Sequence, residues 1–343
     1  MLSYIKIQGN PFAVGLELGR FGAQAMHAFV EQSTSWGSLM QWRGSASVEA
    51  MKQLVQERHP HIWQELQGLA QGLNLPLDDV FVWNCRGDLW AMSPDGCTTV
   101  QLPGAASPAF AHNEDGDPLF ATRCAIAEVD VTGGASFASF VYPGSLPGHT
   151  FAVTQAGLAM TVNNLRAAHV KPGLPRMVLA RAILEMPDVH SALQYLRAAP
   201  RSGGFHFTLA QAGHGTLTSV EFNHAVFSAI ELTSASVHAN HMVHAGMANQ
   251  PQTITGSSGY RQLRGDFLVA QSVASGRAPD AMDILFDQDN AQFPIYRDDP
   301  KDSDGENTLA TAFIRVNADA IEWEVHTSRS AEPLFALRNG VRK

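Results

Sequence analysis

Asp95-Gly96-Cys97-Thr98-Thr99 joins a flexible dipeptide to a thiol and two β-branched residues. The run continues as Val100-Gln101-Leu102, which reads as a strand. A break between Gly96 and Cys97 would leave Cys97 with two useful groups. Its thiol is a nucleophile. Its new α-amine, with an ordinary pKa of about 8, can take the thiol proton near neutral pH. One residue would then supply nucleophile and base, a cysteine counterpart of the N-terminal threonine arrangement. Without the break, Cys97 reads as a small buried hydrophobe at a strand start. Another pattern, His238-x-x-His241-x-x-His244, suggests zinc held by three imidazoles. The segment reads as a strand, where that spacing does not keep side chains on one face, so no metal is expected.

The elements that must position these groups change character along the chain. Before Cys97 the sequence reads as helices. Asn10 and Pro11 open one that continues from about Phe12 to Trp42, with Gly15 and Gly19 permitting close packing. A second spans about His61 to Leu73, with Ile62, Leu66, Leu69 and Leu73 on one face. A third begins near Leu77. After Cys97, strands are expected at 97–102, 108–113, 119–130, 136–142, 150–155 and 158–163, punctuated by Gly and Pro. A helix follows at about 175–198, then strands at 204–211, 215–222, 226–232 and 235–240. Helices near 260–274 and 279–287 precede closing strands near 308–316, 319–325 and 333–338. The pattern predicts a layered α+β fold with sheet packed on sheet, and no linker divides it.

Bulk composition narrows the function. The chain has 343 residues, 45% hydrophobic and 16% charged, enough for a substantial core. A formal net charge of −9 argues against nucleic acid or an anionic membrane as the main partner. Cys85, Cys97 and Cys124 form neither a disulfide framework nor a metal knuckle. The start lacks a basic stretch followed by an apolar segment, and no apolar run is long enough to span a membrane. A soluble, cytoplasmic enzyme without a cofactor is the expectation.

Six stretches in order carry a resemblance. They are Gly9-Asn10-Pro11-Phe12 with Gly15 and Gly19; Gln67-Gly68-Leu69-Ala70-Gln71-Gly72 followed by Asn84-Cys85-Arg86; the Asp95–Thr99 motif with Asn113-Glu114-Asp115 eighteen positions on from Cys97 to Asp115; Gly157-Leu158-Ala159 with Asn163 and Leu165; His238-Ala239-Asn240-His241; and Asp287-Gln288-Asp289-Asn290 with Phe293 and Arg297. Together they resemble the autoproteolytic acyltransferase and amidohydrolase family typified by isopenicillin N acyltransferase. The resemblance implies an N-terminal nucleophile hydrolase with an αββα sandwich, a single domain over residues 1–343. It implies self-cleavage between Gly96 and Cys97 into chains of 1–96 and 97–343 that stay associated. Cys97 would be the nucleophile, Thr99 and Asp115 would hold its amine and polarise the cleavage site, and Asn240 would donate to the oxyanion. Arg297 and Asn163 would bind substrate, Arg297 by pairing with a carboxylate. The substrate would be an N-acyl amide or an acyl-coenzyme A thioester, passing through an S-acyl-Cys97 intermediate.

The chain departs from the pattern beside the nucleophile. Glu114 stands where the family has tryptophan, and Gly116 replaces an aromatic residue. The family's penicillin substrate is therefore not carried over. Two alternatives remain open at this level: a non-catalytic binding member of the fold, and a thiol esterase using uncleaved Cys97 with a histidine base such as His112. Oligomeric state is left open as well.

Overall fold

Strands that are apolar on both faces need cover on both faces, and here the cover is a second sheet on one side and helices on the other. The computed structural model describes residues 2–90, 96–104, 107–302 and 304–343. Asp95 of the cleavage motif lies outside the described residues. The first half-layer comprises β1 (Ser3–Gly9), α1 (Pro11–Gln32), α2 (Thr34–Met40), α3 (Ala46–Arg58), α4 (Pro60–Leu73), α5 (Leu77–Asn84) and α6 (Arg86–Leu89). Then come β2 (Gly96–Leu102), β3 (Ala109–Gly116), β4 (Ala125–Val131), β5 (Ser136–Val141), β6 (Phe151–Thr154) and β7 (Leu158–Leu165). Next are α7 (Arg176–Ile183), α8 (Val189–Ala198), β8 (Gly204–Gln211), β9 (Thr218–Phe222), β10 (Phe227–Glu231) and β11 (Ser236–His238). The chain closes with α9 (Gly256–Ala274), α10 (Ala281–Leu285), β12 (Asn307–Val316), β13 (Ile321–His326), β14 (Phe335–Arg338) and β15 (Val341–Arg342).

One sheet has eight strands in the order β1-β4-β5-β6-β7-β8-β9-β10. The other has seven, β11-β2-β3-β12-β13-β14-β15. β1 joins β4 in parallel, and the remaining pairs are antiparallel. The sheets face each other where β2 meets β7. Helices α1 and α8 pack on the eight-stranded sheet, with α4 against α1 and α7. Helices α9 and α10 cover the seven-stranded sheet. The layers are α, β, β, α, the sandwich expected.

The close packing signalled by Gly15 and Gly19 is a crossing of α1 on α4. A Cβ on Gly15 would fall 1.9 Å from the Glu65 carbonyl oxygen, and one on Gly68 would fall 2.0 Å from that of Phe12. Gly19 and Gly72 oppose the partner helix in the same way. Backbone therefore meets backbone, a contact that no other residue type allows.

Several expectations need correction. The helix read as running to Trp42 ends at Gln32, because Ser33 caps α1 and then accepts from Trp36 N at 3.2 Å to start α2. The strand expected at 119–130 begins at Ala125, since Pro118 opens a short 3-10 turn and Thr122 adopts a positive φ of 62°. The helix expected at 175–198 is two helices. Asp188, just after Pro187, caps α8 by accepting from Ser191 N at 2.7 Å. The third helix divides at Cys85 into α5 and α6. Elements β1, α3 and β15 were not expected.

Candidate active site

β2 and β3 pair with Gly96 opposite Asp115, Cys97 opposite Glu114 and Thr99 opposite His112. Side chains alternate across a strand, so Cys97, Thr99, His112 and Glu114 share one face, while Gly96, Thr98, Asn113 and Asp115 share the other. The Cys97 face opens on the space between the sheets, where Thr99 Oγ1 donates to Asn163 Oδ1 on β7 at 2.7 Å. The Asp115 face is turned toward the helices. There Asn113 Nδ2 donates to the Leu285 carbonyl oxygen on α10 at 2.8 Å, and Arg261 Nη1 on α9 donates to Thr98 Oγ1 at 2.8 Å.

Cys97 is buried. Its Sγ lies 3.7 Å from Glu114 Oε2, which lies 3.1 Å from His112 Nε2. Tyr142 donates its hydroxyl to Glu114 Oε1 at 2.9 Å. The Cys97 backbone is gripped from the helix side. Its N–H donates to Asn240 Oδ1 at 2.9 Å, and its carbonyl oxygen accepts from Arg261 Nη1 at 2.5 Å. Arg261 Nη2 also donates to Asn240 Oδ1, at 2.6 Å. Asn240 is held in turn: Nδ2 donates to the Asn164 carbonyl oxygen at 3.2 Å, and its backbone N–H donates to Ser258 Oγ at 2.9 Å.

On the opposite face, Thr308 Oγ1 donates to Asp115 Oδ1 at 2.7 Å. Asp115 Oδ2 is buried and has no hydrogen-bond partner among the described residues. Gly96 sits against Glu306, whose Oε2 would be 2.3 Å from a Cβ at that position. Arg297 Nη1 donates to the same oxygen at 2.7 Å, and its Nε and Nη2 donate to Asp302.

Residues 103–330 match the family of acyl-coenzyme A:6-aminopenicillanic acid acyl-transferase. The chain belongs to that family. It is accordingly an enzyme of the acyltransferase and amide-hydrolase kind, as expected. The matched region begins beyond Cys97 and takes in the β3, β7, Asn240, α9 and Arg297 sides of the site. Among solved structures, a variant of conjugated bile acid hydrolase from Clostridium perfringens is similar, with 10% identity, a TM-score of 0.44, and coverage of 71% of this chain and 92% of that one.

In this acyl-transferase family member, burial and nearby charges set the electrostatics. Burial lifts Asp115 above the usual carboxylate range against the pull of Arg261 and Arg297. Burial lifts Glu306 to about 7, although Arg297 opposes it. Burial lowers His112 to about 3. The region around Gly96 therefore holds two carboxyl groups with raised proton affinity, beside two buried arginines.

The structure gathers Cys97, Thr99 and Asn163 on one face and sets Asp115 on the other. The Thr99 hydroxyl bonds to Asn163 and His112, and Asp115 stands opposite Gly96, one register position from Cys97. Asn240 reaches Cys97 through its carbonyl oxygen. Arg297 has carboxylate partners of its own in Asp302, Asp304 and Glu306. Of the three histidines of the zinc pattern, His238 and His244 lie by Glu221 with ring centroids 6.5 Å apart, His244 also meeting Ser219 and Ser228, while His241 meets Ser258. Sγ of Cys97, a nitrogen of His112 and an oxygen of Glu114 lie within 4.8 Å of one another, a spacing that a cation could also use.

Arg261, Asn164, Ser258 and Glu306 escaped the sequence reading. Arg261 had a signal. Helix α9 turns Ser257, Ser258, Arg261, Gln262 and Gly265 inward while Tyr260, Leu263, Phe267 and Val273 are exposed. A helix that buries its polar face is serving something polar.

Proposed function

We propose that the chain cleaves itself between Gly96 and Cys97 and then works as an N-terminal cysteine amidohydrolase or acyltransferase. The Cys97 thiol attacks the Gly96 carbonyl, the acyl group moves from nitrogen to sulfur, and water opens the thioester. The mature Cys97 then carries an α-amine that takes the thiol proton. The thiolate attacks an N-acyl amide or an acyl thioester, and the amine or thiol leaves. Water, or a second amine, releases the acyl group from sulfur.

The observation that carries this reading is the grip on the Cys97 backbone. Asn240 and Arg261 hold the nitrogen that cleavage would free and the adjacent carbonyl oxygen. Such a clamp would keep a new α-amine in register with its thiol after the chain parts. The unpartnered Asp115 Oδ2, one register position from Cys97, supports a role for Asp115 in holding that amine. In turnover, Asn240 would also offer its amide N–H to the oxyanion, exchanging the Asn164 carbonyl for it.

A cavity of about 260 Å³, lined by Leu2, Phe120, Cys124, Tyr296 and Leu309, lies beside Thr308 and Arg297 and is the proposed seat of an acyl chain. Arg297 would bind a substrate carboxylate there by exchanging Asp302 for it, and Asn163 would orient the substrate side of the Thr99 network. Intact mass spectrometry tests the proposal. Wild type should resolve into two chains divided before Cys97 and gain an acyl mass when offered a substrate from a panel of N-acyl amino acids and acyl-coenzyme A thioesters. Cys97→Ala should stay whole and gain nothing. Cleavage of Cys97→Ala would assign the cut to an outside protease.

A further inference from the structure

Before cleavage the Cys97 nitrogen is a peptide amide and cannot act as a base, yet the thiol must lose its proton to attack Gly96 efficiently. Hydrogen-bond directions around Cys97 show where that proton fits. Asn163 Nδ2 donates to the His238 carbonyl oxygen at 3.1 Å, which orients the amide so that Oδ1 faces Thr99 and His206. Thr99 has one hydroxyl proton, and at 2.7 Å it is given to Asn163 Oδ1. The Thr99 oxygen therefore accepts from His112 Nδ1 at 2.8 Å, and the His112 ring proton sits on Nδ1. Burial keeps this ring neutral, so Nε2 carries a lone pair. That lone pair faces Glu114 Oε2 at 3.1 Å. With Glu114 ionised, two acceptors oppose each other in the interior, which is unfavourable. One proton between them turns the opposition into a hydrogen bond. The Cys97 thiol, 3.7 Å from the same Oε2, carries such a proton.

We propose that the Glu114–His112 pair is the base that activates Cys97 for self-processing. This step exists only if Cys97 cleaves its own chain, the function proposed above. The Cys97 S–H bond breaks, its electron pair stays on Sγ, and the proton binds Glu114 Oε2, which donates it to His112 Nε2. A thiol and a carboxylate become a thiolate and a carboxylic acid, with no change in net charge. The thiolate adds to the Gly96 carbonyl carbon. The bond from that carbon to the Cys97 nitrogen then breaks, and the nitrogen takes up the proton Glu114 held.

The surroundings suit this task. Tyr142 occupies Glu114 Oε1 and leaves Oε2 facing the thiol and His112. Among the described residues the titratable or charged groups nearby include Cys124, whose thiol is pushed up by burial and by Glu114; His206, held below the usual imidazole range by burial and joined to His112 through Asn163 and Thr99; Asp115, on the opposite face of β3; and Arg261, beyond the Cys97 backbone. The family's aromatic residue at this position could not take a proton. Glu114 would therefore be a catalytic residue particular to chains that carry it.

Cell-free synthesis provides the precursor, and its conversion into two chains can be followed by gel across pH. Glu114→Gln keeps the shape and offers His112 Nε2 an N–H, but cannot accept a proton. Its cleavage should be slower by about a hundredfold or more. Wild-type cleavage should vary little across neutral pH, because the base is built in. Glu114→Gln should instead accelerate about tenfold per pH unit until the thiol itself ionises. If wild type splits and Glu114→Gln splits as fast with the same pH profile, the base assignment is overturned and self-processing stands. If wild type never splits, self-processing itself is lost. Should Glu114→Gln fail to fold, wild type decides: a level profile supports the base, and a tenfold rise per unit overturns it.

Discussion

At the residue scale, the proposed mechanism gives one amide, Asn240, two functions that compete. Its carbonyl oxygen holds the Cys97 N–H, and its N–H group is lent to the Asn164 carbonyl oxygen. Asn240→Asp keeps an acceptor for Cys97 and Arg261 but removes the donor. Holding the Cys97 nitrogen requires only the acceptor, so Asn240→Asp should still cleave itself. Stabilising an oxyanion requires the donor, so its mature kcat should fall by about a hundredfold or more with KM little changed. Asn240→Ala should lose both functions. Equal turnover in Asn240→Asp and wild type would remove the oxyanion role. Short motifs in the sequence singled out Cys97 and Asn240, and the structure brings the two together. The sequence could not show that Asn240 presents its oxygen rather than its nitrogen to Cys97. That orientation is decided by Arg261, twenty-one positions later, and by Asn164 on another sheet. Glu306 was hidden for the same reason, since its place against Gly96 is created by the return of β12 beside β3.

At the element scale, spacing was legible where the chain repeats a period and obscure where capping overrides it. Gly15 and Gly19 predicted a close approach, and Gly68 and Gly72 supply the matching surface one helix away. Ser33, Pro118 and Asp188 each ended or delayed an element whose apolar pattern ran on, because local capping bonds compete with periodicity. Helix α9 shows the opposite failure: its apolar residues point outward, so a reading that sends apolar side chains inward hides Arg261. The α1–α4 crossing gives a test. In Gly68→Ala the added carbon would lie 2.0 Å from the Phe12 carbonyl oxygen, so one helix must move away from the other. The variant should lose about 2 kcal/mol or more. Gly37→Ala in α2 meets nothing within 4 Å and should be neutral or stabilising by up to about 1 kcal/mol. Calorimetry on both compares a clash with a simple gain in helix propensity. A Gly68→Ala melting temperature equal to wild type would mean that the two backbones are not truly in contact.

At the scale of the whole molecule, the proposed cut divides the fold in an unusual place. Residues 1–96 would contribute β1, which edges the eight-stranded sheet, and the helix α1 that covers it, with α4 packed on α1. Neither piece would bury its share of the core without the other, since Phe29 stacks on Phe120 and Trp83 bonds Ser145 across the division. The processed protein should therefore remain one particle in native buffer and separate only in denaturant. A buried ion pair lies on the same boundary. Arg181 of α7 meets Glu65 of α4 at 2.9 Å with both side chains fully buried, and Arg181 also reaches Glu185 at 3.1 Å. Glu65→Gln keeps the volume but leaves Arg181 with Glu185 as its remaining carboxylate. Breaking a buried pair from one side costs about 3–5 kcal/mol, and the surviving partner argues for the lower end. In uncleaved Cys97→Ala that loss should appear as a lower urea midpoint with the chain still whole. In a cleaved chain it acts on association as well, so Glu65→Gln should dissociate into two chains at urea concentrations where wild type stays together, and dissociation should deepen on dilution. Size-exclusion chromatography in graded urea at two protein concentrations measures this. If Glu65→Gln in the cleaved protein shifts the midpoint no more than in Cys97→Ala and shows no concentration dependence, the two chains are held elsewhere and this ion pair serves α4 and α7 only as local packing.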